Sequence, residues 1–276
     1  MSNYQRGYVN GRFGQIHYHR AWPDAEGSGK TPLAFFHQNH KSAFEYDMLL
    51  REMGRDREAL AFDTPGYGSS DGPPDVPTMA DFAGSMADAL DGLGFGAGGK
   101  GAVDVFGLHT GVLIATELAL TRPDLVRRIV MSGVPYRSPE RRREILESLP
   151  RDKKLTEDGA WIKDRWKVLV ADRSKDVPLE RAARVFAEAI RPLDKHWYAY
   201  DAVWNYPLDE RLPQLPHPVA ILQTHEPLLD ETRLAHAELL PRAHYVEIPE
   251  VQVNILDLAW KQFAREMRLW LDKPAP

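Results

Sequence analysis

Short apolar runs alternate along this chain with longer amphipathic stretches, and that alternation restricts the fold more than any other feature. Pro32–Phe36 and Leu60–Phe62 are brief and wholly apolar, as strands buried on both faces of a parallel sheet are. Gly14–Tyr18 alternates like a half-buried strand, and Phe44–Met53 has helical spacing. Asp63–Asp71 (DTPGYGSSD) is dense in turn formers. A helix is expected over Met79–Leu93, with Thr78 as its N-cap and Gly94 as its stop. A strand over Ala102–Phe106, a helix over Val112–Leu120 opened by Gly111 and a strand over Val126–Met131 follow. After Pro216 and Pro218 the rhythm returns, with strands Val219–Gln223 and His244–Ile248 and helices Glu231–Leu240 and Ile255–Leu271. Strands and helices in this alternation predict an α/β fold, a mostly parallel central sheet covered by helices on both faces.

From Ser138 to Leu215 the rhythm breaks into charge runs and helical periodicity without a convincing strand. The expected organisation is a core formed by 1–137 and 216–276 with a helical cap, 138–215, inserted after the sixth strand. The cap is rich in large aromatics. Trp161, Trp197, Tyr200 and Trp204 either line an apolar ligand pocket or dock the cap on the sheet, and the pattern fits both. The charge run Arg141–Glu144 and the pair Arg127-Arg128 read as solvated faces.

With 276 residues, 43% of them hydrophobic, the chain can bury a large single core. A net charge of −5 offers no basic surface for phosphates, so the expected partner is a small molecule and not a nucleic acid. The absence of cysteine excludes disulfides, thiolate metal sites and a cysteine nucleophile. Met1–Arg12 is polar, and no segment approaches the ~20 apolar residues of a membrane span. The expectation is a cytoplasmic monomer or homodimer with no membrane partner and no cofactor.

The strand from Ala102 runs through Gly107-Leu108-His109-Thr110-Gly111 directly into a helix, the context of the nucleophile elbow G-x-S-x-G. Around it lie a strand closing on His37, the turn Asp63-Thr64-Pro65-Gly66-Tyr67-Gly68-Ser69-Ser70 and the strand end Ser132-Gly133-Val134-Pro135. This order of features, from Gly14 to Leu271, resembles the α/β-hydrolase superfamily. The resemblance implies the α/β-hydrolase fold and a hydrolytic active site at the elbow, but two of its positions are altered. The elbow residue is His109 in place of Ser, Asp or Cys. After Ile248-Pro249, where the superfamily has a Gly-His pair, the chain reads Glu250-Val251-Gln252-Val253-Asn254, so the histidine position falls on Val253 or Asn254.

The resemblance further places Glu226, in Gln223-Thr224-His225-Glu226-Pro227, at the position of the triad acid. It assigns the N–H groups of Thr110 and Asn39, with Gln38 and His37 beside them, to oxyanion stabilisation or substrate binding. Because histidine is longer than serine, His109 is expected to reach towards Glu226 and to act as a general base oriented by that carboxylate. Attack by His109 itself through an acyl-imidazole is a less economical alternative. His40 is a candidate hydrogen-bond donor in the pocket or else a solvated loop histidine. His37, His40, His109, His225 and Glu226 are metal-ligand types, but no HExxH-like spacing accompanies them and no metal is expected. Asp63 and Asp71 are read as structural. The leading expectation is a small-molecule hydrolase, or a lyase, acting on an ester, lactone or C–C bond; a non-catalytic binding protein on the same fold is the rival.

Overall fold

The computed structural model describes residues 2–24, 29–149, 151, 156–249 and 251–274. Parts of the expected core and cap at 1, 25–28, 150, 152–155 and 275–276, and Glu250 of the segment after the last strand, lie outside the described residues. Strands β1 (Ser2–Gly11), β2 (Gly14–Pro23) and β3 (Leu33–Phe36) lead through a 3-10 turn, Ala43–Tyr46, to helix α1 (Asp47–Met53) and strand β4 (Ala59–Phe62). Helix α2 (Met79–Gly92), strand β5 (Val103–Leu108), helix α3 (Thr110–Thr121) and strand β6 (Val126–Ser132) follow. Next come helices α4 (Pro139–Ser148), α5 (Ala160–Trp166), α6 (Leu179–Ala189), α7 (Tyr198–Asn205) and α8 (Leu208–Arg211). The chain then returns to the sheet with β7 (Val219–Thr224), α9 (Leu229–Glu238), β8 (His244–Ile248), α10 (Ile255–Leu258) and α11 (Trp260–Leu271).

One eight-stranded sheet has the order β1-β2-β4-β3-β5-β6-β7-β8, antiparallel at β1/β2 and β2/β4 and parallel elsewhere. Every residue of β3, β4, β5 and β7 is buried, which is why β3 and β4 read as continuous apolar runs and β5 and β7 as apolar runs interrupted by Asp104 and closed by Gln223-Thr224, respectively. On one face Phe36, Phe62, Val105 and Met131 pack against Phe82 and Met86 of α2 and Leu113 of α3. On the other, Phe35, Phe106 and Leu222 pack against Leu49 of α1 and Phe263 and Met267 of α11. The structure therefore has the mostly parallel, helix-covered sheet that the alternation predicts.

Several local expectations are corrected. The polar amino-terminal residues form β1, a strand with no fully buried residue, paired along its whole length with β2. Its side chains carry no apolar alternation because only Tyr4 and Val9 pack against the core, and neither is fully buried. The carboxyl-terminal helix is two helices broken at Ala259. Arg127 and Arg128 are not a solvated pair: Arg127 forks onto the buried Asp104, and Arg128 is buried and donates to the carbonyl oxygens of Trp270 and Pro274. Together they fasten the end of α11 to the sheet.

Three carboxylates tie the helices between β6 and β7 and the loops to the sheet. Glu117 of α3 accepts from Tyr206 Oη at 2.8 Å and from Arg211 Nη2 at 2.8 Å, which docks the region of α7 and α8. Buried Asp63 accepts from the Ala43 N–H at 2.7 Å, the Ser69 N–H at 2.8 Å and His17 Nδ1 at 2.8 Å, pinning together the loops after β3 and β4. Asp71 accepts from the Gln15 N–H at 2.7 Å.

The turn between β5 and α3 is the tightest point of the fold. His109 has φ 49° and ψ −110°, a conformation that costs a residue with a Cβ about 1–3 kcal/mol. Its neighbours are glycines for steric reasons: a Cβ on Gly107 would overlap the Gly111 carbonyl oxygen, and one on Gly111 would overlap that of Phe36. Gly111→Ala is expected to destabilise the protein by about 3 kcal/mol or more, read by chemical denaturation. Gly98→Ala, with open space around its Cβ and only a positive φ to bear, is expected to cost about 1 kcal/mol.

Candidate functional site

β5 and α3 hold His109 at the carboxyl edge of the sheet, its N–H donating to the Ser132 carbonyl oxygen at 3.0 Å. The imidazole lies across Gly133, where a Cβ would overlap Cδ2. Gly133, at φ 64°, is thus the residue that makes room for a ring at this elbow. Nε2 of His109 sits 3.3 Å from Oε2 of Glu226, with a quarter of the histidine side chain exposed and the carboxylate almost wholly buried. Nε2 is itself buried and the contact is off-line for a hydrogen bond, a looseness common in sites without substrate.

Glu226 follows β7 in a short loop that supplies its partners. The Leu228 N–H donates to Oε2 at 3.1 Å, and the buried Gln223 amide donates to Oε1 at 3.1 Å. Burial alone would raise the proton affinity of this carboxyl. The facing His109 and these two donors outweigh burial, and Glu226 titrates below its ordinary 4.5.

The loop after β3 separates the four residues grouped there by sequence. His37 is buried, with Nδ1 donating to the Gln38 carbonyl oxygen at 2.9 Å and Nε2 accepting the Thr64 N–H at 3.0 Å, so neither nitrogen is left for substrate. Gln38 reaches the cleft wall, but its N–H and side-chain amide are both taken by Glu45, at 3.0 and 2.9 Å. The Asn39 N–H makes only a long contact, 3.4 Å, to Thr110 Oγ1 next to the elbow. His40 does not line the cleft; it is buried with Nδ1 3.3 Å from Tyr200 Oη.

His109, Glu226 and Gln38 line a cleft of about 280 Å³ together with Lys41, Glu45 and Arg173. Its apolar lining is Val168 and Leu169, on a π-helical turn at Lys167–Ala171, together with Val185, Val253 and Leu256. Of the two roles expected of the cap aromatics, lining or docking, none of the four takes the first on the wall of this cleft. Trp161 lies on His196, with ring centroids 5.0 Å apart, and Trp197 lies edge-on to Tyr198. Trp204 packs on the core beneath the Arg137 guanidinium, and Tyr200 is spent on His40. At least Trp204 therefore serves docking; the cleft is walled by aliphatic residues whose spacing carries no signal apart from the helices they sit on. Val253 and Asn254 both border the cleft, and Asn254 is held by the Ser174 N–H donating to Oδ1 at 3.0 Å. His225 points away, to Glu247 at 3.0 Å, and among the described residues no group of three His, Cys, Asp or Glu is placed to hold a metal ion.

Burial first, and then the charges of Arg165, Lys41 and His196, push His40 from 6.5 down to about 3; burial likewise takes His19 down to about 4. The folded protein refuses protons that the unfolded chain accepts below pH 6.5. Stability is therefore fully present above that pH and is lost as pH falls towards 4, by roughly a few kcal/mol. Thermal unfolding between pH 7 and 4 should show this slope, and His40→Gln should flatten it.

The model of the alpha/beta hydrolase family matches residues 27–266. Among solved structures, a hydrolase from Pseudomonas aeruginosa PA01 superposes with a TM-score of 0.76 at 18% identity, covering 98% of this chain and 99% of the other. A bromoperoxidase from Bacillus anthracis gives 0.77 at 14% identity, covering 98% and 100%. An esterase from Thermogutta terrifontis gives 0.73 at 19% identity, covering 97% and 98%. Among the described residues no helix is long and apolar enough to cross a membrane. The strand order, the strained turn after β5 and a family match spanning most of the sequence agree: this chain belongs to the alpha/beta hydrolase family.

Proposed function

We propose that the chain is a small-molecule hydrolase whose elbow residue, His109, works as a general base and not as a covalent nucleophile. The observation that carries this reading is the placement of Nε2 3.3 Å from a buried, ionised Glu226, both of them lining one cleft. One ring nitrogen faces the carboxylate, and the other is left to take a proton from water or from the substrate. The Asn39 N–H, loosely held beside the elbow, and the Thr110 N–H that opens α3 are the donors assigned to the carbonyl oxygen under attack.

An ester, a lactone or an activated C–C bond suits this arrangement. As water adds to the carbonyl carbon, its proton passes to the ring, and Glu226 stabilises the imidazolium that forms. The ring then returns the proton to the leaving oxygen or carbon as the carbonyl re-forms. Proton abstraction from a substrate carbon, a lyase step, uses the same base without the water.

Turnover of a panel of p-nitrophenyl esters, aryl lactones and diketones tests the reading. His109→Ala should lower kcat by ~10²- to 10⁴-fold, and Glu226→Gln by ~10²-fold, with both losses insensitive to a chelator. The wild-type rate should decline in acid, as general-base catalysis requires. Activity indifferent to His109 would put the chemistry elsewhere, and no turnover of any member by the wild-type protein would favour the binding-protein alternative.

A further inference from the structure

Gln223, next to last in β7, is fully buried between the elbow and the acid. A primary amide can sit either way round, and its neighbours decide which. Here the Gly133 N–H donates to Oε1 at 2.8 Å, while Nε2 donates to the Thr224 carbonyl oxygen at 2.7 Å and to Glu226 Oε1 at 3.1 Å. The reversed amide would set N–H against N–H at Gly133 and oxygen against two acceptors at the other end. A donor is thus forced on Oε1 of Glu226.

The second carboxylate oxygen, Oε2, receives the Leu228 N–H and is the one that faces His109 Nε2. An ionised carboxylate can only accept. The ring atom 3.3 Å from it is the one that gains from carrying hydrogen, because an unprotonated Nε2 would bring one lone pair up to another. Gly133 packs on the same Cδ2–Nε2 edge of the ring, so Nδ1 belongs to the opposite edge, away from Glu226.

We infer that Gln223 is a positioning residue that fixes the tautomer of His109, holding Nε2–H towards Glu226 and leaving the Nδ1 lone pair as the atom that accepts a proton in the cleft. This rests on the reading of His109 as a general base. In the step it supports, a water O–H bond breaks, its proton goes to Nδ1, and the oxygen electron pair forms the bond to the carbonyl carbon. The resulting imidazolium keeps Nε2–H on the carboxylate throughout, so no second proton moves.

The tautomer is read directly in the unliganded protein by long-range ¹⁵N–¹H correlation of ¹⁵N-histidine-labelled samples, with His109→Asn assigning the signals. The wild type should show the proton on Nε2. Gln223→Met, of similar length but without donor or acceptor, should show a mixture of tautomers and a kcat lowered ~10-fold with little change in KM. If that variant does not fold, Gln223→Glu keeps the shape. Protonated, its carboxyl donates as the amide does; ionised, it repels Glu226, so kcat should gain a new loss on the alkaline side. A wild-type proton on Nδ1, or a Gln223→Met protein with the wild-type tautomer and kcat, would overturn the proposal. Normal turnover by His109→Ala would remove the base reading and leave the tautomer result standing, which keeps the two failures distinct.

Discussion

The site depends on one close approach of backbone to backbone, that of the first turn of α3 to the ends of β3 and β5. With Gly111 pressed on the Phe36 carbonyl oxygen and Gly107 on that of Gly111, the residue between strand and helix is driven into a left-handed conformation. Its side chain is then presented at the sheet edge whatever its chemistry. The family uses this geometry to expose a nucleophile. Here it exposes an imidazole, and a ring at that point collides with anything larger than hydrogen at position 133. The glycine at the end of β6 and the histidine at the end of β5 are therefore one steric unit.

Around that unit the electrostatics are arranged by the ring itself and by neutral donors. Glu226 is nearly buried, and burial by itself would favour its neutral form. The facing His109 ring comes first in holding it charged, with a main-chain N–H and an amide side chain beside it, and among the described residues His109 is the titratable group that faces it. The nearby loop histidines are withdrawn from the chemistry by their own bonds: His37 bridges the loops after β3 and β4, and His40 is buried neutral against Tyr200.

Much of the fold was legible because strands buried on both faces are mostly apolar: β3 and β4 are so throughout, and β7 is so up to Gln223. β1 was not, since an edge strand without a buried residue leaves no periodic trace. The pairing of His109 with Glu226 followed from counting along the family pattern, but the use made of each hydrogen-bond donor did not. That Gln38 spends both donors on Glu45, or that Trp204 packs on the core and not in the cleft, depends on partners remote in sequence. Arg127 and Arg128 misled for the same reason: a charged pair on a strand looks solvated until the terminus that covers it is placed.

The distinction between base and nucleophile at the elbow is decided by whether a covalent intermediate forms. Intact-mass measurement on acid-quenched mixtures, taken from milliseconds to completion with the ester that turns over fastest, reads this directly. The protein should keep its unmodified mass at every time point while product accumulates. An adduct of the mass of the acyl group, on His109 or on any serine bordering the cleft, would contradict the account.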